Sequence, residues 1–93
     1  KHVVVESAFS NSFKREFKKR IKSTVLEPEF WIRLEIFIAD PFDPRLKTHK
    51  LSGKLKGLWS FSVEFDTRVI FFFTKDKPKK AVFTDIGTHK EVY

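Results

Sequence analysis

Two histidines, an aspartate and an arginine carry the acid–base potential of this 93-residue chain. His49 opens H-K-L-S-G-K-L-K-G-L-W-S-F (49–61), Asp66 and Arg68 bracket D-T-R, and His89 lies in G-T-H-K-E-V-Y (87–93), which ends on Tyr93. These are the parts needed to hold and cut a phosphodiester. RNA can be cut without a metal through its own 2′-hydroxyl. A base removes that proton, cations stabilise the charge on phosphorus, and an acid protonates the leaving 5′-oxygen. Each proton-transfer group is worth roughly 10²–10⁴ in rate, and histidine suits the task near neutral pH. The residues are spread along the chain, so they act together only if the fold gathers them.

Each of them also has a plainer reading. A lone histidine is usually a surface or turn residue. Asp66-Thr67 is a good turn dipeptide with no chemistry required. Arg68 can pair with Glu64 across two strands, and Tyr93 can pack a loose terminus. Lys50, Lys54 and Lys56 are candidate RNA-binding cations, yet G-K-L-K-G is equally a solvated hairpin edge. It is not a P-loop, because no Ser or Thr follows Lys54.

Composition narrows the classes. The length suits one domain, spanning residues 1–93. Phenylalanine occurs 12 times, so the core is expected to be aromatic. The absence of cysteine excludes disulfides and thiol chemistry and fits a reducing, cytoplasmic setting. Three scattered histidines without cysteine argue against structural zinc, and no cofactor is expected. The formal net charge of +7 points to polyanionic partners. No stretch approaches the ~20 apolar residues of a membrane span. The opening residues show no signal peptide, and the lack of methionine implies an absent initiator.

The elements that must position these groups follow from periodicity. His2–Val5 reads as a first strand. Phe9, Phe13, Phe17, Ile21 and Val25 recur every four residues, which predicts a helix over about 10–24, capped by Ser7 or Ser10. Lys14, Arg15, Lys18, Lys19, Arg20 and Lys22 occupy its other faces, as an RNA contact or simply as a solvated surface. Pro28 opens a second helix bearing Phe30, Leu34, Phe37 and Ile38, and Pro41 stops it. Trp59 to Phe65 alternates as a half-buried strand, Val69–Phe73 is a central strand, and Ala81–Ile86 is the last, ended by Gly87. A three-residue hairpin loop (Phe65–Thr67) would pair Glu64 with Arg68 and Ser62 with Ile70. Ser60, Ser62, Glu64 and Arg68 would then share one polar face. The order is β-α-α-β-β-β: an α+β domain with two N-terminal helices on one face of a small, antiparallel-rich sheet.

D-P-F-D-P-R-L-K-T-H-K-L-S-G-K-L-K-G-L-W-S-F (40–61), D-T-R-V-I-F (66–71) and D-I-G-T-H-K-E-V-Y (85–93), in that order and spacing, resemble the RelE/ParE superfamily of bacterial toxins, close to the YafQ-like messenger-RNA interferases. The resemblance implies a small twisted sheet backed by two helices, with RNA in a basic cleft. It implies cleavage of mRNA, typically on the ribosome, and inhibition by a cognate antitoxin. His49, Asp66, His89 and Tyr93 stand where such toxins keep a catalytic His, Asp, His and an aromatic. Arg68 matches an arginine used on the phosphate. Ser62 departs from the pattern, standing where relatives have a further histidine. The alternatives are a ParE-like, non-enzymatic gyrase inhibitor and an inactive RNA- or antitoxin-binding relative.

Overall fold

The computed structural model describes residues 6–64, 66–75 and 79–93. The expected strand His2–Val5 lies outside them. The described chain runs β1 (Glu6–Phe9), α1 (Asn11–Arg20), α2 (Leu26–Ala39), β2 (His49–Lys50), β3 (Trp59–Ser62), β4 (Thr67–Phe73), β5 (Lys80–Thr88) and α3 (His89–Val92). Single 3₁₀ turns at Pro44–Leu46 and Gly53–Leu55 flank β2.

Ser10 starts α1, its hydroxyl accepting from the Phe13 amide at 3.1 Å. The apolar stripe then behaves as its spacing demands. Phe13 and Ile21 are buried, and Phe9 and Phe17 pack against the same core. Val25 does not join them and is 80% exposed. The helix ends at Arg20, and Ser23 adopts φ 65°, which breaks the four-residue repeat before it reaches Val25. In α2, Pro28 falls in the first turn, where its missing N–H costs no helical bond. Phe30, Leu34 and Phe37 are buried, and the helix stops two residues before Pro41.

The five strands lie in the order β1-β5-β4-β3-β2. β1 runs parallel to β5, and the other neighbours are antiparallel. β4 is therefore central, as its unbroken apolar run requires. Phe37 of α2 meets Phe61, Phe71 and Phe83 of three strands, with ring centroids 5.0, 4.9 and 5.5 Å apart. Each such burial stabilises the fold by about 1.5–3 kcal/mol. Both long helices share this face.

The hairpin register differs from expectation by two residues. Ser62 pairs with Arg68, and Ser60 with Ile70. Glu64 does not reach Arg68. Instead it accepts a hydrogen bond from Arg33 of α2 at 2.9 Å, so a helical arginine draws it toward the core side. The shift is even, so Ser60, Ser62 and Arg68 keep a common face and only Glu64 leaves it. Gly87 does not end β5. It pairs with Arg68, and the strand continues to Thr88.

Candidate active site

His49 begins β2, and its Nδ1 lies 2.9 Å from the Lys47 carbonyl. In the neutral ring Nδ1–H donates there, and Nε2 keeps a free lone pair. Lys47 holds the left-handed conformation, φ 54°, that closes the Pro44–Leu46 turn just before the strand. The next strand contributes Ser60, which pairs with His49 and is fully buried, its hydroxyl without a hydrogen-bond partner among the described residues.

His89 and Tyr93 come from the other side, on α3. One turn of helix is unstable alone, so its anchors matter. Thr88 and Glu91 form a reciprocal capping box: the Glu91 carboxylate accepts from the Thr88 amide at 2.8 Å, and the Thr88 hydroxyl accepts from the Glu91 amide at 3.3 Å. The bond from Thr88 holds the Glu91 carboxyl below its ordinary range. Arg20 reaches across from α1, its guanidinium 3.6 Å from Glu91 and 3.5 Å from Asp85, and donating to the Ile86 carbonyl at 2.8 Å. Burial pushes the Asp85 carboxyl up.

Gly87 lies beneath this knot. A Cβ there would sit 2.6 Å from Arg20 Nη1 and 2.7 Å from Glu91 Oε1. Gly87 lets these two side-chain ends approach its backbone closely, and its φ lies outside the left-handed region, so no turn calls for glycine here. Gly87→Ala is therefore expected to displace Arg20 or Glu91. The expected cost is about 1–3 kcal/mol in urea unfolding, with a fall in any activity that depends on α3. Unchanged stability would show that the knot yields freely.

Asp66 and Arg68 sit at the end of the β3–β4 hairpin, beside α3. The His89 amide donates to the Asp66 carbonyl at 3.2 Å and lies 3.3 Å from its carboxylate. Arg68 donates to the Ser62 hydroxyl at 2.7 Å and lies 3.7 Å from Asp66. Asp66 thus touches the His89 backbone and Arg68, contacts that orient both. Ser62, the position that departs from the toxin pattern, fixes the guanidinium.

One open groove of about 320 Å³ is lined by His49, Leu51, Ser52, Leu55, His89 and Tyr93. Histidines forty positions apart in sequence thus share a cleft with the terminal aromatic. The His89 and Tyr93 rings meet edge to face at 4.4 Å. Lys54 on the Gly53–Leu55 turn and Lys56 just after it are exposed, and the turn supplies Leu55 to the groove. Lys50 is different: strand alternation aims it away from His49, and its ammonium lies over the Trp59 ring at 5.6 Å. Among the described residues, no three His, Asp or Glu side chains are placed to share a metal ion. No helix among the described residues is long and apolar enough to cross a membrane. Sequence reasoning missed α3, although T-x-x-E at Thr88–Glu91 is a readable capping-box signal.

No protein-family model and no curated protein matches the chain. Solved structures do. A YafQ mutant from E. coli is 21% identical with a TM-score of 0.78, covering 96% of this chain and 98% of that one. The E. coli DinJ–YafQ toxin–antitoxin complex gives 20% identity and a TM-score of 0.76, covering 98% and 99%. A YoeB/ParE toxin from Agrobacterium tumefaciens gives 13% and 0.74, covering 91% and 99%. The α+β architecture built above, two helices on one face of a five-stranded sheet, is thus the fold of the YafQ and YoeB/ParE toxins.

Proposed function

We propose that this protein is the toxin of a type II toxin–antitoxin pair and acts as an endoribonuclease on messenger RNA, in the cytoplasm and at the ribosome. The observation that supports this most is the convergence of His49, His89 and Tyr93 on one groove. In this reading His49, through its free Nε2, takes the 2′-hydroxyl proton. His89 protonates the leaving 5′-oxygen. Asp66 orients the His89 turn and Arg68, and Arg68 neutralises the phosphate. Tyr93 stacks on a base beside the cut, and Lys54 and Lys56 hold flanking phosphates. The RNA supplies its own nucleophile, so the scheme calls on no metal or cofactor. A gyrase inhibitor working by protein contact alone would need no pair of imidazoles in a cleft.

The product distinguishes the readings. Incubation with mRNA, alone and on ribosomes, is expected to yield a 2′,3′-cyclic phosphate end. Growth arrest with intact mRNA and inhibited gyrase would overturn the nuclease. An acidic, partly disordered antitoxin is the proposed partner, since the chain carries +7 and a disordered segment can cover a large surface.

Arg68 gives a sharper test. Its fork can meet two phosphate oxygens, whereas lysine offers a point charge. Arg68→Lys is expected to reduce turnover more than Lys54→Arg, and RNA binding should weaken steeply with salt. Equal effects of the two exchanges would remove Arg68 from the scissile phosphate.

A further inference from the structure

The aromatic core breaks the surface at one corner. α2 ends at Ala39, the chain turns through Pro41, and Phe42 is left 54% exposed. Its ring lies edge-on to Trp59 at 5.4 Å and tilted against Phe73 at 6.0 Å, while Trp59 and Phe73 meet edge to face at 5.4 Å. Two ammoniums sit on this cluster: Lys50 lies 5.6 Å from the Trp59 ring centre and Lys79 lies 5.5 Å from that of Phe73. Both fall within the ~6 Å range of cation–π attraction.

We propose that Phe42, Trp59 and Phe73, with Lys50 and Lys79, form a second RNA contact, where an unpaired base of the strand leaving the catalytic groove stacks. The proposal rests on the ribonuclease reading. Three arguments select single-stranded RNA as the occupant. An exposed aromatic offers a face that any base can use, and the lysines place charge where the phosphates on either side of a stacked base would lie. The corner also meets the groove at one strand, β2. Lys50 follows His49 on β2, pointing to the opposite face, and β2 is the last strand of the sheet. A strand passing His49 can round that edge without crossing another strand. The path is about the thickness of a sheet layer, ~10 Å, which a few nucleotides span.

The test uses the whole protein and RNAs whose 2′-hydroxyls are methylated, so that binding is read without cleavage. A tetranucleotide fills the groove, and a dodecanucleotide also reaches the corner. The wild type is expected to bind the longer RNA more tightly. Phe42→Ala should reduce that gain roughly 10-fold or more, the value of one stacked base. Phe42→Leu, which keeps the apolar cover, should lose it too, and Lys79→Gln should lose part of it. Thermal melting verifies that each variant is folded. A folded Phe42→Ala protein with an undiminished gain overturns the proposal. So does a corner whose variants weaken an acidic antitoxin peptide and leave RNA untouched. The parent reading fails separately: a length-dependent gain without a cyclic-phosphate product from unmodified mRNA keeps the platform and removes the nuclease. Cleavage without any gain removes the platform alone, and failure to bind either RNA removes both.

Discussion

His89→Ala is expected to lower RNA cleavage at least ~100-fold, the loss of one proton-transfer group, while the domain stays folded. The fold should tolerate the change because His89 is exposed and its anchoring is made by its backbone. Its amide meets the Asp66 carbonyl at 3.2 Å, a contact alanine preserves. The side-chain contact at stake is with the ring of Tyr93, at 4.4 Å. Cleavage can be followed by gel alongside circular dichroism and melting of the same preparation. A folded variant cutting at nearly the wild-type rate would dismiss His89 as the acid. His89→Gln separates shape from chemistry, since glutamine fills similar space and carries no titrating proton; it should be as inactive as alanine.

The second large effect is expected at His49. Its ring is held by the Lys47 carbonyl, 2.9 Å from Nδ1, so Nε2 is the atom left to accept a proton. His49→Ala should cost cleavage about 10²–10⁴-fold with little change in stability, because the side chain is exposed. Asp66 is worth testing in the same series. Its contacts are with the His89 amide and Arg68, whereas the His49 ring is held by the Lys47 carbonyl, so Asp66→Asn and His49→Ala should multiply in the double variant. A double variant no worse than the weaker single would mean that they act as one unit. Silent single variants would take both out of the site.

The sequence made the helices and central strand readable because phenylalanine spacing is a local signal. Phe13, Phe30, Phe37 and Phe71 are buried where their periods place them. What escaped depended on partners remote in sequence. Glu64 is claimed by Arg33, which no strand-level pattern reveals, and the hairpin pairs Ser62, not Glu64, with Arg68. Gly87 precedes a histidine and invites a turn, yet its lack of a Cβ serves Arg20, far upstream. Strand β2 is two residues long, too short to show a period. In the site, the residue types were legible and their convergence was not. His49 and His89 share a groove because of sheet order, and only Lys50, one position beyond His49, shows what alternation removes from that groove.

The parallel pairing of β1 with β5 has a consequence for how the protein is made. Glu6 finds its partner in Lys80, so β1 waits for its neighbour until both long helices and the other strands have been made. Contacts of such long sequence separation form late in folding. The residues that close the sheet are followed directly by His89 and Tyr93, so one short segment both locks the scaffold and delivers half the groove. A nascent chain stopped before β5 holds two helices and an open hairpin but no assembled cleft. A stop codon anywhere upstream of β5 should therefore give a fragment that lacks the groove.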